Sequence, residues 1–492
     1  MPGLIRLGIH AVNYFEIGSN HQADYLVHRL SNILEVVMKL PHLKVCCIRE
    51  YVCGVVLITL AACTGQGSDT ASQAPTPTPS SSFLSDAAIH APPTTGMYAY
   101  NTFQPGAHGF PVVGGTYTDP VFGGIVKRLT NIGSNQNNED IYAHHWANAN
   151  GTYVFSRQGA VADNFKILST MTGDEIHVNQ PYGSSPADLA WDPIDPDKYY
   201  YFDGADLVER SVSRQMSTPI HRFGGTLESL GGSLDWIDRT GDLFVVKWGG
   251  PPNGTAKVWR KSTNSLYSGE VPPLDRDGWV AITPDGNYLV TAAGESAPPN
   301  IEHYSYQINH AAKTIGTTPT QFWGLCGDHG DLISASDGGN YFVTFACANS
   351  VGVYRVDITK DQAGRSESQQ LADNLLLIDL LSGAQDGHFS AVSKGLLRDW
   401  VFIDTESFDG DEFDFVPNGW VPYKQEILAV NVLTGEIRRF AHHRSRGLSS
   451  SYYAQPRISS SWDGSIMLWT SNYNVSSPIG YADLYSLKFA GN

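Results

Sequence analysis

The sequence predicts an all-β fold, a seven-bladed β-propeller, preceded by a signal-like segment and a disordered tether. Three observations carry this. One unit recurs seven times between residues 144 and 472. Charged residues make up only 16% of the 492, with 49 Gly and 24 Tyr, a composition suited to many strands and turns. Helical periodicity is almost absent; only 366–374 reads as a short helix.

The unit is a polar or small residue, an apolar strand, an Asp/Asn/Gly turn and a stronger apolar strand. Its copies are "HHWANANGTYVFSR" from His144, "ADLAWDPIDPDKYYYFD" from Ala187, "SLDWIDRTGDLFVVKW" from Ser233, "GWVAITPDGNYLVTAA" from Gly278, "HGDLISASDGGNYFVTFA" from His329, "HFSAVSKGLLRDWVFIDT" from His388 and "QPRISSSWDGSIMLWTSN" from Gln455. Further strand-like runs lie between copies, among them "EILAVNVLTGEIRRF", which reads strand–turn–strand. Four short strands per repeat is the propeller signature. The run "VFGGIVKRLT" at 121–130 is placed to complete the last blade beside "ADLYSLKF" at 482–489, which removes a free sheet edge.

The region before the repeats reads differently. Residues 1–37 have no assignable role and suggest an extended or spurious start. From Met38, Lys39, Lys44 and Arg49 form a basic run, and residues 51–62 form an apolar stretch too short to span a bilayer. It ends "LAAC" at Cys63. Residues 64–94, rich in Pro, Ser, Thr and Ala, lack the apolar content to fold and read as a tether. The propeller is assigned to 95–492. The net charge of −17 argues against nucleic acid as a partner. Of six cysteines, only Cys326 and Cys347 lie in the propeller; one disulfide and two buried thiols are both open readings.

Two resemblances extend this reading. "LAAC" resembles the bacterial lipobox, which implies diacylation of Cys63 and a lipid anchor in the cell envelope; Thr64, in place of Asp, leans towards the outer membrane. "PDGNYLV" and "WDGSIMLWTSN" resemble the repeats of TolB-type and oligogalacturonate-lyase-type propellers. "YAHHWANANG", "GDHGDL", "GHFS" and "QPRISSSWDG" look like a group of exported bacterial proteins, often lipoproteins. The lyase resemblance implies a site of His and Gln residues for one divalent ion, Mn or Ca. This sequence departs from it before the last repeat, where "AQPRIS" offers Gln455 but no His.

Residues that open each inner strand should line one mouth of the channel. These are His144 and His145, Asp188, Asp235, His329, His388 and Gln455, with Asp328 and Asp331 beside His329. Imidazole, carboxylate and amide oxygen are ligands for a divalent metal. The expected ligand set is His145, His329, His388 and Gln455; the competing reading is a channel lined by structural His and Asp. Over the same mouth, "AHHRSRGLSSSYYAQPR" brings together His443, Arg444, Tyr452, Tyr453 and Arg457. These types suit β-elimination on a uronic acid: a cation for the carboxylate, His as base, Tyr as proton donor. Trp420 and Tyr423, in an insertion at 404–426, either stack on a sugar or cover a blade edge. No GxSxG, P-loop, CxxC, HExxH or Rossmann fingerprint is present. The sequence therefore predicts a monomeric, exported, membrane-anchored propeller that binds or acts on a carbohydrate, with lyase-like β-elimination on a polyuronate as its chemistry; the alternative is a non-catalytic platform that binds a glycan or an envelope protein.

Overall fold

In the computed structural model of the chain, residues 83–131, 145–157, 165–183, 189–230, 234–248, 255–269, 271, 279–292, 302–325, 329–346, 352–380, 385–407, 420–447, 455–475 and 481–489 are described. Among them lie seven separate antiparallel sheets, one per repeat, in chain order. The first has Tyr153–Arg157, Phe165–Ser169 and Glu175–His177, with Ala147 bridged to Val154 on its inner side. The sixth has four full strands: Gln385–Ala391, Trp400–Ser407, Glu426–Asn431 and Ile437–His442. The architecture is a seven-bladed propeller. The described α-helix is Glu367–Asp373, started by a capping box between Ser366 and Gln369.

The repeat unit folds as expected. In the fourth copy, Val280–Ile282 pairs with Tyr288–Ala292 around a turn where Gly286 has φ +76° and Asp285 Oδ1 accepts the Asn287 N–H. That positive φ is open to Gly without a Cβ clash, which is why the Asp-Gly pair marks the turn. Successive side chains point to opposite faces, so each strand contributes to two cores. In Trp400–Ser407, Trp400 and Phe402 pack towards the seventh blade, while Val401 and Ile403 pack towards the fifth. The apolar core is accordingly a ring of layers between neighbouring sheets.

The seventh sheet contains both ends of the propeller. Its order is Thr116–Thr118, Ile125–Arg128, Asp483–Lys488, Ile466–Ser471, Ser459–Ser460. Lys127 pairs with Ser486 and Arg128 with Tyr485, which is the closure the sequence predicts. A buried ion pair, Arg128 Nη2 to Asp483 Oδ2 at 2.6 Å, crosses the same junction.

Two boundaries differ from expectation. Part of the stretch assigned to the tether lies on the propeller: Leu84 forms a bridge with Arg439 on the outer strand of the sixth blade. The inner hairpin of that blade also runs further than the repeat suggests, from Gln385 to Ser407, so residues 404–407 are strand and not insertion. Both shifts come from pairing with a partner distant in sequence.

Candidate metal centre

The sixth-blade hairpin builds the site. His388 is the direct cross-strand partner of Asp404, and Asp386 of Glu406. Alternation puts all four side chains on one face, and directly opposed partners lie about 5 Å apart at Cβ. His388, Asp404 and Glu406 each bring a ligand atom within 4.8 Å of the other two. His388 Nδ1 lies 3.1 Å from Glu406 Oε1 and 3.7 Å from Asp404 Oδ1. Despite the 3.1 Å approach, His388 Nδ1 and Glu406 Oε1 lack hydrogen-bond geometry, and His388 Nε2 has no partner. From the fifth blade, His329 stacks on His388 with ring centroids 4.5 Å apart, its Nδ1 3.4 Å from Asp386 Oδ1. Asp404 and Glu406 are buried, whereas the side chains of His388, His329 and Asp386 are 14%, 29% and 46% exposed. The group therefore opens to solvent on the His329–Asp386 side.

Backbone N–H groups from two blades fix Asp404. Oδ1 accepts from His388 N at 2.7 Å, and Oδ2 from Arg457 N at 3.1 Å. Burial pushes its carboxyl up, but His388 and the N–H donors outweigh burial and hold it below the usual value. Glu406 is pushed up to about 7, first by burial, with Asp404 and Asp386 adding to it against the pull of His388. Burial and the neighbouring His329 lower His388, but Asp404 and Glu406 raise it above its ordinary value overall. An imidazole and two carboxylates, close but not hydrogen-bonded in line, form a donor set suited to a hard or borderline divalent cation.

Of the expected ligands, the structure brings His329 and His388 together. His145 lies elsewhere in the channel, its Nε2 3.1 Å from Asp235 Oδ2 and its ring 4.1 Å from Trp462. Ser460 Oγ is 3.3 Å from His145 Nδ1 and accepts from Ser390 Oγ at 2.8 Å. This Ser–His–Asp order resembles a charge relay, but Ser460 is fully buried and the chain instead ties four blades across the channel. Gln455 uses its carbonyl oxygen to accept from Thr470 Oγ1 at 2.9 Å.

The basic run is buried. His443 Nε2 donates to the Thr405 carbonyl at 3.0 Å, and Nδ1 accepts from Ser445 N at 3.1 Å, which fixes a neutral tautomer. Burial pulls its pKa down to about 4, against the opposing pull of Asp404. Arg444 Nη1 donates to the Tyr98 carbonyl at 3.1 Å, and its guanidinium lies over Phe103. Arg457 is buried and meets the site through its main-chain N–H to Asp404. Trp420 and Tyr423 are buried too, against Tyr100 and Arg439, and so cover a blade edge. Tyr452, Tyr453, Cys63, Cys326, Cys347, His144, Asp188 and Asp328 lie outside the described residues, as do residues 1–82.

What the run does hold is the N-terminal segment. Arg439 Nη1 donates to the carbonyls of Asp86 and Ala88, Arg444 to that of Tyr98 and Arg446 to that of Tyr100. Arg439 also forms a fully buried bidentate pair with Glu426, with Nε–Oε2 at 2.7 Å and Nη2–Oε1 at 2.6 Å. Guanidinium groups are suited to this because they present several donors in a fixed plane.

Asp404 and Glu406 are the site residues that sequence reasoning missed. The available signal was alternation: in "DWVFIDTES", Trp400, Phe402, Asp404 and Glu406 share one face. The polar pair looked like a loop entry because acidic residues are depleted in strands.

No family model matches the chain, and no curated protein matches it. Among solved structures, an oligogalacturonate lyase in complex with manganese aligns with TM-score 0.49 and 13% identity over 76% of this chain and 95% of that one. An oligogalacturonate lyase from Vibrio parahaemolyticus aligns with TM-score 0.49 and 11% identity, over 76% of this chain and 96% of that one. TolB from Acinetobacter baumannii aligns with TM-score 0.29 and 13% identity over 56% and 61%. This chain is similar to these propellers in fold.

Proposed function

We propose that the chain binds one divalent cation through His388, Asp404 and Glu406 and acts on a uronic-acid saccharide by β-elimination. The observation that carries the reading is the His388–Glu406 approach of 3.1 Å without a hydrogen bond, beside a second buried carboxylate. When bound, the cation supplies positive charge for the substrate carboxylate, which acidifies the neighbouring C–H. The chain's own residues do the rest. Asp404, its oxygens fixed by N–H groups of two blades, and Glu406, its Oε1 buried without a hydrogen bond, would hold the cation. His329, the more exposed of the two imidazoles, is oriented by Asp386 and takes the proton. Proton delivery to the leaving oxygen is assigned to Tyr452 or Tyr453.

The burial of His443, Arg444 and Arg457 favours a second reading, a platform that binds an acidic glycan or an envelope protein without turnover. Two measurements separate them. Elemental analysis should find one equivalent of Mn²⁺ or Ca²⁺ in purified protein, lost in His388→Ala. Incubation with pectic, alginate and ulvan-type oligosaccharides should then give unsaturated, ultraviolet-absorbing products that disappear in His329→Ala. Metal uptake with no such product across the panel supports the platform; no metal uptake removes the lyase reading.

A further inference from the structure

We infer that the N-terminal strap, residues 86–101, is a working part of the site, with Tyr100, Gln425 and His443 as positioning residues for the strand that carries Asp404 and Glu406. This rests on the site proposed above. The link is continuous. The Tyr100 hydroxyl donates to Gln425 Oε1. The Gln425 carbonyl accepts from His443 N at 3.2 Å. His443 Nε2 donates to the carbonyl of Thr405 at 3.0 Å. Thr405 is the residue between the two carboxylates, and its own hydroxyl accepts from Glu426 N at 2.9 Å and reaches the Tyr423 carbonyl.

Two independent features mark this link as more than packing. Tyr423, Gln425, Arg444 and Arg457 have φ of +62°, +54°, +60° and +50°, a region that non-glycine residues rarely adopt. Such backbone persists only where its surroundings over-determine it, and it clusters at functional sites. In addition, the buried Gln425 Nε2 makes no hydrogen bond, so the amide is aimed for the sake of its oxygen, which meets Tyr100. The strap end of the link is fixed by the basic run: Arg446 donates to the Tyr100 carbonyl and lies over its ring, 3.1 Å from the centroid. Docking of the strap thus sets the height of Gln425, and Gln425 sets His443 against the ligand strand.

The test titrates Mn²⁺ into the full chain by calorimetry, with thermal melts as a fold control. Tyr100→Phe removes one hydroxyl and leaves the arginine contacts. His443→Ala removes the Thr405 contact, and His443→Asn restores an amide donor. Loss of a residue that orients a ligand typically weakens metal binding about 10–100-fold. We expect about tenfold weaker binding in Tyr100→Phe and in His443→Ala, with partial recovery in His443→Asn. The double variant Tyr100→Phe/His443→Ala should bind no more weakly than His443→Ala alone, because both act through one link. Unchanged affinity in both single variants, or losses that simply add, overturns the coupling while leaving the site intact. A wild-type protein that takes up no Mn²⁺, or a His388→Ala variant that binds as well as wild type, overturns the site and the coupling together.

Discussion

His443 shows how far burial can change a residue's task. Its pKa of about 4 lies below the ordinary His value of 6.5, because burial disfavours the imidazolium. The unfolded chain therefore takes up a proton at this position before the folded one does. Its contribution to stability is fully present above pH 6.5 and is lost as pH falls towards 4. The difference amounts to about 3 kcal/mol. Glu406 and Glu426, both raised to about 7 by burial, act in the opposite sense: their contribution declines as pH rises from 4.5 to 7. Comparison of wild type with His443→Asn isolates the His443 part. Urea denaturation should show the stability gap between them narrowing by about 3 kcal/mol from pH 6.5 to 4; a constant gap refutes the assignment.

At the scale of elements, the sixth blade is where the site can be broken by small changes. Gly387 has φ +151°, and a Cβ added there would sit 1.8 Å from the carbonyl oxygen of Asp404. Gly387→Ala should force the two inner strands apart and destabilise the protein by about 2 kcal/mol or more. Its Mn²⁺ affinity should fall with it, as calorimetry and melting on one sample would show. On the outer side of the same blade, Arg439→Ala strands Glu426 in a buried position. Removing one partner of such a pair costs about 3–5 kcal/mol. Because Arg439 also holds Asp86 and Ala88, limited proteolysis of this variant should cut within residues 83–101 faster than wild type.

The whole molecule depends on closure of its ring. The strands Thr116–Thr118 and Ile125–Arg128 shield Asp483–Lys488, which would otherwise be a free edge. A chain that starts at residue 132 should aggregate, whereas one that starts at residue 83 should scatter light and melt as the full chain does; light scattering distinguishes them. Further towards the N-terminus, the lipobox resemblance predicts that Cys63→Ala moves the protein from the membrane fraction to the soluble one. Among the described residues, no helix is long and apolar enough to cross a membrane.

Seven copies of one local pattern in the sequence were enough for the blade count and for the start of each inner strand, and the closure was legible in two strand-like runs outside those copies, at 121–130 and 482–489. "PDGNYLV" needs only its own turn to be read as a hairpin. The sequence also marked His329 and His388 as neighbours at one mouth, since equivalent repeat positions converge in a ring. Which residues complete the group depended on the folded sheet. Asp404 and Glu406 face His388 because of strand register, and register depends on a partner sixteen residues away. The same holds for "FAHHRSR". Its charge suggested a cation for a substrate carboxylate, but Arg444 and Arg446 are buried and, with the preceding Arg439, are spent on the carbonyls of a segment some 350 residues upstream. Composition reports that cations are present; whether they meet solvent or backbone is settled by what the chain folds over them.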